Sequence, residues 1–169
     1  MVILGVDPAL KITGFGAISY EDRRFRLLTC GVIETRSSQP LPERLKALYC
    51  SITGIISSSK PQVMVLEKVY VHHQHKTTAL LLGEARGSIA VAASSSSIPV
   101  EEYAATQVKK ALTGSGHATK QQVQSMVCSI LNMDKPGYLD ITDALALAIC
   151  YCYHNRTSAL SGILARYRR

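Results

Sequence analysis

The sequence has no apolar run long enough to span a membrane. Its first apolar stretch, residues 2–6, is stopped by Asp7, whereas a membrane-spanning helix needs about 20 predominantly apolar residues. The amino end also does not fit the charged and apolar regions of a signal peptide. We therefore expect a protein with no membrane segment and no secretory leader.

The sequence also lacks the cysteine pairs that are typical of zinc sites. It has five cysteines, an odd number, and none of them form a CxxC pair. Most lie inside apolar patterns, and Cys150 and Cys152 would point to different faces of one helix. The pattern predicts buried free thiols in a reducing cytoplasm, with no zinc site.

Acidic residues are outnumbered. The chain has 12 Asp and Glu against 19 Lys and Arg, which gives a formal net charge of +7 at pH 7. This balance favours a polyanionic partner, and a merely well-solvated surface is the alternative. At 169 residues and 47% hydrophobic, the chain is an ordinary folded domain. We expect that domain over residues 1–155, with residues 156–169 as a basic tail or a frayed end.

Three segments near the amino end predict strands. Residues 2–6 form a short apolar run that is typical of a central strand. Residues 13–20 and 25–35 follow it through short connections, which make hairpins, so the three strands should be antiparallel. Pro8 disfavours helix at Asp7 and keeps it extended at the end of the first strand.

A second buried strand also ends in a carboxylate. A helix opened by Pro42 leads to the apolar residues 63–66, which are followed by Glu67. A strand reached through a helical crossover runs parallel to its neighbour. We therefore expect Asp7 and Glu67 at the same end of the sheet. For Asp7 the alternative is an ordinary turn aspartate before Pro8, which a buried strand disfavours.

The rest of the chain alternates helices with a last strand, residues 98–103. The helices are predicted over residues 77–94, 104–112, 120–132 and from Asp140 onwards. Together these elements predict an α/β fold with a mixed five-stranded sheet flanked by helices. The helix over residues 77–94 is nearly too apolar for a monomer's surface, which indicates a subunit contact.

Two aspartates open the last helix. Asp140 and Asp143 stand three residues apart and project from one face, and the helix is then apolar on every side up to His154, which is typical of a buried helix. A helix cap with Asp140 as N-cap is the alternative. If the pair meets Asp7 and Glu67, divalent cations would offset the repulsion. Two such ions about 3.5–4 Å apart can serve phosphodiester cleavage.

Other residues suggest contacts with nucleic acid. Tyr70 lies in a loop with three histidines that lack the usual metal-ligand spacing, and it could stack on an unpaired base or be a plain core tyrosine. Lys109 and Lys120 flank a glycine-rich turn, residues 113–117, that could contact phosphate through backbone N–H groups. The alternative for Lys109 and Lys120 is that they are ordinary lysines in contact with solvent.

Several motifs lie in order along residues 3–154. They are Gly5-Val6-Asp7-Pro8, Thr13-Gly14-Phe15-Gly16, Leu66-Glu67, Val69-Tyr70, Leu82-Gly83-Glu84-Ala85-Arg86-Gly87, Glu102-Tyr103-Ala104-Ala105, Gln107-Val108-Lys109, Lys120-Gln121-Gln122-Val123-Gln124 and Asp140-Ile141-Thr142-Asp143-Ala144-Leu145-Ala146. Together they make the chain resemble the RuvC-type Holliday-junction resolvases, a family with the ribonuclease-H-like fold. Three features differ from that family's usual pattern: Ala9 replaces glycine, Lys68 replaces glutamine, and Ile141-Thr142 replaces two small residues.

The resemblance implies roles for seven residues. Four would be the metal-binding catalytic acids of a nuclease domain: Asp7, Glu67, Asp140 and Asp143. Three would bind the DNA, with Tyr70 as an aromatic at the junction's crossover and Lys109 and Lys120 as basic residues near the cut. Carboxylate ligands suit Mg²⁺, as one or two ions per site, with Mn²⁺ as a substitute.

The resemblance also implies partners and a reaction. The family acts as a homodimer on four-way junction DNA, in homologous recombination and DNA repair. It makes paired nicks in strands of like polarity, together with a RuvA/RuvB-type branch-migration complex. Two other classes compete with this reading. An ATP-dependent sugar or acetate kinase is built from two such domains, for which 169 residues are too few. A non-catalytic junction-binding module would bind junctions without cutting.

Overall fold

The computed structural model describes the backbone of residues 1–68 and 76–166, and the side chains of residues 1–68 and 77–155. The predicted loop position of Tyr70 and its neighbouring histidines lies outside the described residues. In the described part of the chain, no helix is long and apolar enough to cross a membrane.

The centre of the fold is a mixed five-stranded sheet with strand order β3-β2-β1-β4-β5. Its strands are β1 Val2–Asp7, β2 Ile12–Glu21, β3 Arg24–Glu34, β4 Val63–Glu67 and β5 Val100–Tyr103. β1, β2 and β3 pair antiparallel, and β4 is parallel to both β1 and β5. The predicted hairpins and the predicted parallel crossover are therefore confirmed.

Five helices accompany the sheet in the described residues: α1 Leu41–Ser59, α2 Lys76–Ser95, α3 Ala105–Thr113, α4 Lys120–Leu131 and α5 Leu139–Arg166. Pro42 lies in the first turn of α1, and the Thr119 side chain caps α4 by accepting a hydrogen bond from the Gln122 N–H (3.2 Å). The predicted division between residues 155 and 156 falls inside α5. That division stays a prediction.

The sheet separates two apolar cores because strand side chains alternate between its faces. Leu4 and Val6 pack with buried residues of α1 and α2 on one face. Ile3 packs on the other face with α3, α4 and α5. From Ala144 to Cys150 every residue of α5 is buried, so the predicted buried helix is confirmed.

Glycines let α5 lie directly on the sheet. A Cβ at Gly5 would overlap the carbonyl oxygen of Ala144, and one at Gly14 would overlap the carbonyl oxygen of Asp140. Gly14 is also the β2 partner of Asp7 in the strand register. The contact at Gly14 therefore brings the first turn of α5 beside the end of β1.

The structure excludes one alternative raised by the sequence and corrects one expectation. α5 begins at Leu139, so Asp140 lies inside the first turn and is not its N-cap. The five cysteines are free, but only Cys128, Cys150 and Cys152 are buried. Cys50 is exposed because it lies on the outer face of α1, and Cys30 is half-buried on β3.

Alanine substitutions at Gly14 and Gly54 should have opposite effects on the free energy of unfolding. Gly14→Ala should lower the free energy of unfolding by about 1–3 kcal/mol, because the added methyl group meets helix backbone that cannot rotate away. Gly54→Ala is the matched control. Gly54 is an exposed glycine inside α1 with open space around it, so alanine should stabilise by about 0.4–1 kcal/mol. Urea unfolding measures both, and a Gly14→Ala protein as stable as the parent would contradict the proposed contact.

Candidate active site

Two parallel strands carry carboxylates to one edge of the sheet. Asp7 is the last residue of β1 and Glu67 is the last residue of β4. The preceding residues, Val6 and Leu66, are direct partners in the parallel register. The two side chains therefore lie at the same edge, as the sequence predicted.

The first turns of α5 bring two more carboxylates to this edge. Asp140 is held there by the backbone contact with Gly14, and Asp143 follows one turn later. Both act electrostatically on Asp7. The structure thus brings together the four acids that the sequence singled out, here called the acid cluster: Asp7, Glu67, Asp140 and Asp143.

Asp7 has the most perturbed environment of the cluster. Burial at the end of a central strand, followed by repulsion from Asp143, Glu67 and Asp140, raises its pKa from 3.8 to about 7. Lys120 opposes this rise. A carboxyl group with such a pKa is only partly ionised at neutral pH, and a nearby cation would favour its charged form.

Glu67 is perturbed in the same direction. Burial is the largest cause of its raised pKa, and Asp143 adds repulsion. Lys120, Lys109 and Arg86 act against the rise. Three cationic side chains therefore face Glu67 from three different helices, α4, α3 and α2.

One ammonium group already pairs with the acid cluster. Lys120 Nζ lies 3.0 Å from Asp143 Oδ2, and the lysine side chain is 64% exposed whereas that of Asp143 is 20% exposed. This hydrogen bond is the main cause of a raised pKa at Lys120. The sequence placed Lys120 near the turn that leads into α4 but missed this direct contact with Asp143.

The acid cluster fits a hard divalent cation by charge and donor type. All four side chains offer carboxylate oxygens, the ligands that Mg²⁺ and Mn²⁺ favour. The pKa of Asp7 is raised by burial and by neighbouring carboxylates, and a cation would offset both effects. As the side chains stand, no three Asp, Glu, His or Cys residues within the described part of the chain are close enough to ligate one ion. Lys120 offsets part of the negative charge of the acid cluster through its ion pair with Asp143.

Two cavities meet at Glu67. One of about 370 Å³ is lined by Asp7, Glu67 and Lys68 among others. The other, of about 170 Å³, has Glu67, Asp143, Lys109 and Lys120 in its wall. The second cavity therefore has both acids and lysines in its wall, a lining that suits a phosphate group near a cation.

The loop after Asp7 is held by Thr13. Its hydroxyl donates to the Ala9 carbonyl oxygen (2.5 Å) and accepts from the Ala9 N–H (3.2 Å). Ala9 is not one of the described residues with a positive φ, so alanine fits where the family resemblance suggested glycine.

Sequence reasoning missed two contacts that hold the surroundings of the acid cluster. Arg86 in α2 donates hydrogen bonds to the backbone carbonyl of Glu67 and to the carboxylate of Glu102. Tyr138, just before α5, donates a hydrogen bond to Glu34 at the end of β3 (2.7 Å). The sequence signals for Arg86 were its charge within a largely apolar helix and its place in the motif Leu82-Gly83-Glu84-Ala85-Arg86-Gly87.

Comparison with known proteins identifies the family of the chain. Residues 3–151 match the family model described as Crossover junction endodeoxyribonuclease RuvC. The protein of that name from Photobacterium profundum is 41% identical over 169 residues, which is 99% of this chain and 96% of the relative. The one from Pelotomaculum thermopropionicum is 44% identical over 155 residues, 91% of this chain and 94% of the relative.

Solved structures give the same picture. Thermus thermophilus RuvC superposes with a TM-score of 0.86 at 31% identity, covering 94% of this chain and 97% of the other. The same protein in complex with a Holliday junction substrate gives a TM-score of 0.84 at 29% identity, over 93% and 96% of the two chains. A yeast mitochondrial Holliday junction resolvase, with a TM-score of 0.69 at 11% identity, covers 98% of this chain and 85% of its own and shares the fold.

The raised pKa of Asp7 predicts a pH-dependent gain in stability on its replacement. Between its unfolded value of 3.8 and its folded value of about 7, the folded state binds more protons than the unfolded state. The free energy of unfolding therefore falls as the pH rises through this window. Without divalent metal, Asp7→Asn should be more stable than the parent by on the order of 2–4 kcal/mol at pH 8, and by less at pH 5. Urea unfolding in EDTA at both pH values measures this, and an equal gain at both would contradict it.

Proposed function

The chain belongs to the RuvC family of crossover junction endodeoxyribonucleases, and on this premise we propose that the acid cluster is its nuclease site. The protein is a DNA endonuclease that resolves four-way (Holliday) junctions in recombination, since its relatives of that name match it over nearly their whole length and one was solved with a Holliday junction substrate. The proposal concerns how this chain does it.

The observation that carries the proposal is the environment of Asp7. Burial and three neighbouring carboxylates raise its pKa to about 7, an arrangement that costs stability and that a divalent cation would relieve. Asp7, Glu67, Asp140 and Asp143 would hold Mg²⁺, as one or two ions, or Mn²⁺ in its place. When bound, the metal supplies Lewis acidity that favours a water nucleophile and offsets charge on the leaving oxygen.

The lysines of the site complement the acids. Lys109 and Lys120 line the cavity that also contains Glu67 and Asp143. Their positive charge would attract the DNA backbone and hold a phosphate against the carboxylates. Tyr70, which follows Glu67 by three residues in the sequence, is proposed to stack on a base at the crossover.

We propose that two copies of the chain pair through α2. Leu80 and Val91 on this helix are 64% and 55% exposed. Gly83 and Gly87 lie between them at helical spacing, and both have open space where a Cβ would be. This exposed apolar face, α2 residues 80, 83, 87 and 91, would let a second helix approach closely. Two acid clusters in one dimer would account for paired nicks in strands of like polarity.

The remaining proposals concern the cellular setting. A RuvA/RuvB-type branch-migration complex would deliver the junction, and the reaction would serve DNA repair as well as recombination. The free thiols, three of them buried, suit the reducing cytoplasm.

Replacement of Asp143 tests the nuclease site. Asp143→Asn should abolish Mg²⁺-dependent cutting of a labelled synthetic four-way junction, with a loss of at least about 100-fold. The mutation should preserve or strengthen junction binding in EDTA, because it removes negative charge beside the phosphates and releases Lys120.

The matched control is Asp22→Asn, which removes the same charge from an exposed turn between β2 and β3 and should cut like the parent. Weaker junction binding by Asp143→Asn would count against the proposed site. Junction binding by the parent without cuts in either Mg²⁺ or Mn²⁺ would indicate a binding module instead of a nuclease.

The proposed dimer face predicts the effect of one charge on α2. Leu80→Glu should shift the protein from dimer to monomer in sedimentation velocity, because the charge would be buried without a partner. Met126→Glu is the control, since Met126 is also an exposed apolar residue, on α4, and its replacement should leave the dimer intact. A Leu80→Glu protein that remains dimeric would exclude this face.

A further inference from the structure

A single arginine joins helix α2 to the ends of two strands. Arg86 Nη1 donates a hydrogen bond to the backbone carbonyl of Glu67 at the end of β4, and Nη2 donates to Oε1 of Glu102 in β5. The Arg86 side chain is only 15% exposed, whereas that of Glu102 is 46% exposed. The guanidinium therefore lies beneath the surface, between a fixed backbone atom and a carboxylate that faces solvent.

The contact falls where the strand ladder ends. Glu67 pairs with Tyr103 as the last register position of β4 and β5, and the Lys68 N–H donates to the Tyr103 carbonyl oxygen (2.8 Å). The Glu67–Lys68 peptide is therefore held towards β5 through its N–H. The charged donor on the Glu67 carbonyl holds the other side of the same peptide, and the two contacts together restrain the direction of the Glu67 Cα–Cβ bond.

Helix α2 is well anchored on the inner side. Ala85 and Ile89 are fully buried against the sheet, and the Ser88 hydroxyl donates to the Leu45 carbonyl oxygen of α1 (2.8 Å). Arg86 therefore extends from a rigid support. Leu80 and Val91 of the same helix belong to the proposed dimer face, so one helix carries both the subunit contact and the hold on Glu67.

We propose that Arg86 is a positioning residue for the nuclease site: it fixes the Glu67 carboxylate through the Glu67 backbone, with Glu102 holding the guanidinium in place. This rests on the proposed function, in which Glu67 is a catalytic acid. The planar fork of arginine serves two acceptors in fixed directions, which lysine cannot reproduce. Loss of Arg86 should therefore slow cutting without lowering the affinity of the protein for junction DNA.

The test compares cutting, binding and stability in the full-length protein. The variants are Arg86→Gln, Arg86→Lys and Glu102→Gln, with Arg23→Gln as the control. Arg23 lies exposed in the turn between β2 and β3, so the control removes the same charge. Cutting is measured as a single-turnover rate with saturating protein and Mg²⁺, junction binding in EDTA, and stability as the thermal midpoint.

Arg86→Gln should cut roughly 10- to 100-fold more slowly than Arg23→Gln, as expected for a misplaced catalytic group. Its junction affinity should match that of the control. Arg86→Lys should recover part of the rate because it keeps one donor and the charge. Glu102→Gln should slow cutting by a smaller factor, and because Glu102 is exposed, this variant tests the idea even if Arg86→Gln folds poorly.

Three results would overturn the inference alone. The first is an Arg86→Gln protein that cuts at the rate of Arg23→Gln. The second is a loss of rate that Arg86→Lys restores fully. The third is a loss of rate that goes with an equal loss of junction affinity and a lower thermal midpoint, while Glu102→Gln cuts normally. A parent protein that binds junctions but does not cut them would instead overturn the proposed function, and this inference with it.

Discussion

The close approach of α5 to the sheet is the constraint on which the rest of the structure depends. Gly5 and Gly14 leave no Cβ between strand and helix, so the helix backbone lies directly on β1 and β2. Because Gly14 is the register partner of Asp7, this contact decides where the helix begins relative to the strand end. Larger residues at these positions would push Asp140 and Asp143 away from Asp7 and Glu67, and the acid cluster would be lost.

The same proximity makes the acid cluster costly for the fold. Burial of carboxylates beside one another disfavours the charged form, and the pKa of Asp7 rises to about 7 as a result. Lys120 offsets part of this cost through Asp143, and Lys109 and Arg86 act on Glu67. In the proposed nuclease, this loss of stability would accompany the metal site that the four acids form. Two of these cationic side chains, Lys109 and Lys120, are also proposed to contact the DNA backbone.

Local patterns were enough to predict the elements but not every contact between them. The strands ending in Asp7 and Glu67, and their parallel pairing, followed from short apolar runs and a helical crossover. The contact of Lys120 with Asp143 joins residues 23 apart in sequence, and it depends on how α4 packs on α5. The two hydrogen bonds of Arg86, to Glu67 and Glu102, likewise depend on how α2 packs beside β4 and β5. The prediction of buried thiols was wrong for Cys50. Cysteine is usually buried, but the residue type alone does not show whether position 50 lies on the inner or the outer face of α1.

A titration of Asp7 shows whether the four carboxylates are crowded and whether they bind a cation. Carboxyl carbon NMR on the selectively labelled protein would follow its titration, with assignment by Asp7→Asn, first in EDTA and then in excess Mg²⁺. We expect a pKa near 7 without metal and a much lower value with it, since the cation takes the place of the proton. A metal-free pKa near the ordinary value of 3.8, unmoved by Mg²⁺, would contradict this expectation, because the carboxylates would then be neither crowded nor shared with a cation.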